Sequence, residues 1–194
     1  MFTGIIESIA HVSKVVAEGT NKHFCFVSPI SHELKVDQSV SHNGVCLTVT
    51  KVEGSQHWVT AIDETLKKST LGLLTSGDEV NLERCMIANG RFDGHVVQGH
   101  VDQTGTCISV EDAGGSWIFN FEYHPSFGNI TVEKGSISIN GVSLTCFNSM
   151  DNGFTVAIIP YTYEHTNFHQ IKSGIFVNLE FDIIGKYVKR LLNK

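Results

Sequence analysis

Two short motifs gather the residues of this chain that could do chemistry: N-G-V-C-L-T from Asn43 and N-G-V-S-L-T from Asn140. Each sets a small reactive or hydrogen-bonding group, Cys46 in one and Ser143 in the other, two residues before a threonine. Residues two apart share one face of a strand, so Cys46 falls with Thr48 and Ser143 with Thr145. A thiol offers a nucleophile and a hydroxyl a neutral donor. As local structure, Asn-Gly is the type I′ turn of a hairpin followed by half-buried strand. The chemical reading adds that matched polar groups at matched turns make two similar pockets. The segment G-H-V-V-Q-G-H-V-D from Gly94 then supplies His95 and His100, imidazoles of near-neutral pKa beside glycines that let a ligand approach the backbone.

Other chemistries lack their signatures. The ten histidines are scattered, and the tightest pair, His165 and His169, has no H-E-x-x-H context or third ligand, so no metal is expected. There is no dinucleotide or P-loop glycine pattern and no G-x-S-x-G elbow. The net charge of -6, without a basic run, argues against nucleic acid or an anionic membrane as partner. No apolar stretch is long enough to span a bilayer, and five widely spaced cysteines without a C-x-x-C pair suit a reducing compartment. A cytoplasmic, unexported protein is the expectation.

The elements that position these residues come from a duplication. S-V-S-H-N-G-V-C-L-T-V from Ser39 matches S-I-S-I-N-G-V-S-L-T-C from Ser136 at an offset of about 97 residues. The same offset lays the segment from Ile62 on that from Ile159, both ending in S-G-x-x-V-N-L-E. At about 95 residues, F-T-G-I-I-E-S-I-A-H-V from Phe2 lies over V-Q-G-H-V-D-Q-T-G-T-C from Val97. Within each copy hydrophobicity alternates with period 2 between glycine-containing breaks, as in H-F-C-F-V-S, H-W-V-T-A-I and D-E-V-N-L-E of the first and W-I-F-N-F-E-Y and F-T-V-A-I-I of the second. The fold class expected is all-β: two tandem six-stranded β-barrels, closed because copies this small would otherwise expose edges. E-T-L-K-K-S-T-L-G and Y-T-Y-E-H-T-N-F-H-Q-I break the alternation and open with threonine, predicting a short helical turn in each copy. Ile184, Tyr187, Val188 and Leu191 then follow helical spacing and predict one amphipathic C-terminal helix. The domains expected are 1–97, 98–183 and an oligomerisation helix over 184–194.

The start M-F-T-G-I-I, N-G-V-C-L-T-V, the junction G-H-V-V-Q-G-H-V-D and N-G-V-S-L-T together resemble the riboflavin synthase family, α-subunit type, over the whole chain. The resemblance implies a homotrimer held by its C-terminal helices. It also implies a cofactor-independent dismutation in which two molecules of 6,7-dimethyl-8-ribityllumazine exchange a four-carbon unit to give riboflavin and a ribitylamino-pyrimidinedione. Two copies of one substrate explain two repeats. It implies that each barrel grips a pteridine ring mainly through backbone. In the first copy the carried-over segments are Gly4, Ile5 and Ile6, then Cys46, Leu47 and Thr48, then Thr60, Ala61, Ile62, Asp63, Glu64 and Thr65. In the second they are Gly99, His100 and Val101, then Ser143, Leu144 and Thr145, then Ala157, Ile158, Ile159, Pro160, Tyr161 and Thr162. Lys134 lies just before the second N-G motif, where the resemblance implies a lysine for the ligand, and its repeat counterpart is Asp37. The resemblance further implies an active site where the first barrel of one subunit faces the second barrel of its neighbour.

His100 is the expected base, with Cys46 and Ser143 as nucleophiles or donors, and no metal or redox cofactor is expected. The chain departs from the family at Val45, where a second cysteine is common. It departs again in P-Y-T-Y-E-H-T, which puts Tyr161 and Tyr163 where relatives have other residues. The resemblance leaves association with lumazine synthase open. A lumazine-binding antenna protein with decayed chemistry shares the architecture and is the alternative, disfavoured because the second copy keeps Lys134, N-G-V-S-L-T and Thr162.

Overall fold

The computed structural model describes residues 1–192. Six strands close the first barrel: β1 (Ser8–Glu18), β2 (Asn21–Val27), β3 (Ser39–His42), β4 (Val45–Glu53), β5 (Gln56–Ala61) and β6 (Glu79–Arg84). They are hydrogen-bonded in the order β1-β2-β5-β4-β3-β6. The second barrel repeats that order with β7 (Gln103–Asp112), β8 (Trp117–Tyr123), β9 (Ser136–Ile139), β10 (Val142–Met150), β11 (Gly153–Ile158) and β12 (Phe176–Phe181). All pairings are antiparallel.

Alternation decides which residues fill each barrel. Phe24, Phe26, Val40, Leu47, Val49, Val59, Val80 and Leu82 fill the first, and Phe119, Phe121, Ile137, Ile139, Phe154, Val156, Val177 and Leu179 the second. Small closed barrels must bend their strands, and both do so at matched places. The register skips between Val12 and Lys14 against β2, and between Cys107 and Ser109 against β8.

Between β5 and β6 the chain forms α1 (Asp63–Lys68) and a 3-10 turn, and between β11 and β12 it forms α2 (Pro160–His165) and another. Threonine does not start these helices: each opens two residues earlier, after an extended Ile62 or Ile159 whose side chain cannot cap. Acidic Asp63 and Glu64 in the first turn of α1, with Lys67 and Lys68 in the last, complement its dipole, and Pro160 pre-sets the first turn of α2. Hydroxyls act instead at the C-termini, where Ser69 Oγ donates to Thr65 O and Thr166 Oγ1 to Thr162 O. Helix α3 (Ile183–Leu192) follows the second barrel with Ile184, Tyr187, Val188 and Leu191 all exposed. The expected helix over 184–194 includes Asn193 and Lys194, which lie outside the described residues. Among the described residues no helix is long and apolar enough to cross a membrane.

The barrels meet around a local two-fold axis. Phe2 and Val97, equivalent positions of the two copies, pair with each other through Phe2 N to Val97 O (2.7 Å) and Val97 N to Phe2 O (3.1 Å). The two Asn-Gly turns abut. Asn43 and Asn140 have φ of 48°, Gly44 and Gly141 have φ of 80° and 83°, and a Cβ on Gly44 would lie 2.8 Å from Gly141 N. The V-N-L-E motifs and the turn after α2 supply the polar seal: Asn81 of the first motif donates from Nδ2 to Asn140 O, Asn178 of the second to Asn43 O, and Asn167 of the turn to Asn43 Oδ1. Asparagines buried here would be costly without these partners.

Candidate functional site

Cys46 is the second residue of β4, just after the first Asn-Gly turn, and Ser143 the second of β10, just after the other. Both strands run past the ends of their neighbours: β5 pairs with β4 only from Val49 onward, and β11 with β10 only from Cys146 onward. The N–H groups of Cys46 and Ser143 therefore face an open edge, and each is met by a glycine carbonyl. Gly99 O accepts from Cys46 N and Gly4 O from Ser143 N, both at 2.8 Å. Gly4 and Gly99 share φ of +80°, and a Cβ there would lie 2.6 Å from Ser143 Cβ or 2.5 Å from Cys46 Cβ. Only glycine fits.

This geometry corrects the grouping of segments. Gly4–Ile6, expected with Cys46, lies against Ser143, and Gly99–Val101, expected with Ser143, lies against Cys46. Side chains agree, since Ile6 packs on the second barrel's core and Val101 on the first's. The reason is that both segments precede their own barrels and cross the local two-fold to the other.

A cavity of about 250 Å³ on the first barrel is lined by Val45, Cys46, Glu64, Thr65, Lys68, Ser69, Gly99, His100 and Val101. Its counterpart on the second, about 390 Å³, is lined by Lys134, Ser143, Leu144, Thr145, Phe147, Ala157, Ile159 and Thr162. Of the expected residues, Thr48 is exposed beside the first cavity's strand, and Leu47, Ala61 and Ile158 turn into the barrel cores, able to offer a ligand only backbone. Thr60 Oγ1 bonds His23 Nδ1 at 2.8 Å, Asp63 pairs with Lys67, Ile5 and Ile62 are exposed, and Pro160 opens α2. Tyr161 is exposed with its ring stacked on His165 at 4.1 Å, while Tyr163 stacks on Trp117 at 3.8 Å. Lys134 and Asp37 share a positive φ, so the backbone symmetry survives although the side chains differ. Lys134 Nζ stands 5.4 Å from the Phe147 ring centre.

His100 lies in the first cavity with Cys46 and is itself exposed. On the second barrel the histidine that reaches Ser143 is His95, behind the cavity lining: its Nδ1 is 2.7 Å from Ser143 Oγ, and burial pushes its pKa down against the opposing pull of Asp182. A neutral Nδ1 can accept the Ser143 hydroxyl proton, so the pair can move a proton at a ligand edge. His95 was visible in sequence as part of the junction, but nothing there tied it to Ser143. The structure ties them through Gly94, where a Cβ would meet Thr3 O at 2.1 Å and Ser143 Cβ at 2.9 Å. The spacing of His95 is therefore fixed by the same crossing segment.

Each cavity opens on a barrel's outer face at a strand start, carries a small nucleophile or donor, and has an equivalent elsewhere in the chain. Fold and sites together define a duplicated-barrel protein with two homologous small-molecule pockets. The Lumazine binding domain model matches twice, over residues 3–85 and 98–182. The chain is 41% identical to the riboflavin synthase of Actinobacillus pleuropneumoniae and 40% to that of Bacillus subtilis (strain 168), each match covering 100% of this chain and 91% of the relative. In fold it resembles the crystal structure of LumP complexed with riboflavin, with a TM-score of 0.86 and 21% identity over 93% of this chain and 99% of that one. The chain belongs to the riboflavin synthase family, and it is an enzyme, a transferase.

Proposed function

We propose that the chain catalyses the dismutation of two molecules of 6,7-dimethyl-8-ribityllumazine, moving a four-carbon unit between them to give riboflavin and 5-amino-6-ribitylamino-pyrimidinedione. The observation that carries this reading is the pair of equivalent pockets with unlike reactive groups, Cys46 in one and Ser143 in the other. Equal frames hold the same substrate twice, and unequal groups let one copy donate and the other accept. The reaction needs a proton taken from a ring methyl and a nucleophile added to the other ring. His100, Ser143 and Cys46 are the groups proposed for this work, and His95, by taking the Ser143 proton, joins them. The remaining carried-over residues hold the ring and ribityl chain, mainly through main-chain groups.

The first pocket, about 250 Å³, falls below the roughly 300–1,000 Å³ of ligand sites and the second, about 390 Å³, stands near its lower end, which suits completion by a second subunit. The exposed stripe of α3, above a cavity of about 490 Å³ lined by Ile130, Val132, Ile184 and Val188, supports assembly through the C-terminal helices into a homotrimer. Five unpaired thiols support a cytoplasmic location. Mixing the protein with the ribityllumazine and following absorbance tests the reading. Riboflavin should accumulate, whereas unchanged lumazine with altered fluorescence would assign the chain to the antenna proteins instead.

A further inference from the structure

The V-N-L-E motifs end in two glutamates, Glu83 on β6 and Glu180 on β12, that are 4% and 3% exposed. Carboxylates so buried need strong partners. Neither carboxylate has a lysine or arginine hydrogen bonded to it among the described residues; backbone N–H groups supply the partners instead. Glu83 Oε1 accepts from Thr3 N (2.6 Å) and Thr3 Oγ1 (2.8 Å), and its Oε2 from Gly4 N (2.9 Å). Glu180 Oε1 accepts from Gln98 N (2.6 Å), and its Oε2 from Gly99 N (2.9 Å) and His100 N (2.8 Å). Burial raises both pKa values while these donors oppose the rise.

The held peptides are those that reach the pockets. Gly4 receives its grip through N–H and passes it on through C=O to Ser143 N on the second barrel; Gly99 does the same to Cys46 N on the first. We propose that Glu83 and Glu180 are crossed positioning residues, each carboxylate setting the backbone of the ligand pocket on the opposite barrel. Since a Cβ at Gly4 or Gly99 would overlap the pocket residue, the spacing between held segment and pocket strand is tight, and a shift at the carboxylate is passed on to the pocket strand. The consequence is that each half of the chain controls the geometry of the half-reaction site on the other. The proposal rests on the reading of the two pockets as ligand sites.

Site-resolved alkylation tests it. In a Ser143→Cys background, iodoacetamide modification at positions 46 and 143 is followed separately by peptide mass spectrometry, with and without 6,7-dimethyl-8-ribityllumazine. Glu180→Gln, which turns an N–H donor toward the backbone N–H groups, should speed alkylation of Cys46 about tenfold and leave position 143 within about twofold; Glu83→Gln should do the reverse. The ribityllumazine concentration giving half-protection should rise at the same crossed position. Effects at the pocket of the mutated barrel, or equal effects at both, would overturn the proposal. If the ribityllumazine protects neither position in the parent chain, the ligand-site reading fails, while the crossed or uncrossed pattern of unprotected rates still decides the positioning. Should a glutamine variant not fold, Glu83→Asp and Glu180→Asp, which retract the same acceptor, carry the same expectation.

Discussion

Acid should unfold the first barrel before the second, because only the first has histidines in its core. His42 and His57 are wholly buried, with Nε2 atoms 2.9 Å apart and rings packed on Phe26. Their repeat counterparts are Ile139 and Phe154. The tautomers are fixed by the neighbours. His42 Nδ1 donates to Val40 O, so its Nε2 must accept from His57 Nε2–H, and His57 Nδ1 accepts from Ser31 Oγ, which Ser28 Oγ supports. A further proton on either ring sets donor against donor or forces the serine chain to reverse. Burial accordingly lowers both pKa values, that of His57 to about 4.

A histidine whose folded pKa lies below its unfolded value binds more protons when unfolded. Its contribution is thus complete above about pH 6.5 and is lost as pH falls toward 4. For His57 alone the loss is about 3 kcal/mol at about 1.4 kcal/mol per unit, and His42 adds in the same direction. Burial raises the pKa of Glu83 in the first barrel and of Glu180 in the second, so both barrels carry one carboxylate acting in the opposite direction. Trp58 on β5 and Trp117 on β8 report the barrels separately. Urea midpoints followed through each, with the other tryptophan replaced by phenylalanine, should separate between pH 7 and pH 4.5, the first barrel falling. The His42→Ile, His57→Phe double variant should remove the separation. Equal pH dependence at both tryptophans, or a separation that survives in the double variant, would refute the reasoning.

Ser143→Ala and His100→Ala should each lower kcat for riboflavin formation about tenfold or more, with Cys46→Ser milder because it keeps a polar group, as single-turnover measurements would show. Gly99→Ala, with its Cβ 2.5 Å from Cys46 Cβ at a positive φ, should cost about 2 kcal/mol or more of ligand binding at the first pocket and spare the second, measurable by site-resolved protection. Removing residues after Asp182 should give monomers in sedimentation that bind ligand but turn over poorly.

Much of this architecture was legible because duplication makes a sequence its own control. Two matches at one offset gave two barrels, and the spacing of Ile184, Tyr187, Val188 and Leu191 gave α3. Strands β1 and β7 were harder to read: both bend at a bulge, after which residues such as Lys14 and Ser109 break the alternation. The crossing of Gly4–Ile6 and Gly99–Val101 was not legible at all. Both segments sit at copy boundaries, where sequence order does not tell which barrel a segment docks on, and what decides it is the open N–H edge at Ser143 and Cys46. The His95–Ser143 pair was hidden for the same reason, since His95 has no counterpart in the first copy to flag it.

In the function proposed, one chain holds two copies of one substrate in equivalent pockets and converts the pair into riboflavin and the pyrimidinedione. Titration of the unaltered protein with 6,7-dimethyl-8-ribityllumazine by rapid mixing, read by fluorescence before turnover and paired with analysis of the products formed afterwards, decides it. The account predicts two ligands bound per chain, and riboflavin and the pyrimidinedione formed in equal amounts, one of each for every two ribityllumazines consumed. One ligand per chain with the ribityllumazine recovered unchanged would contradict it.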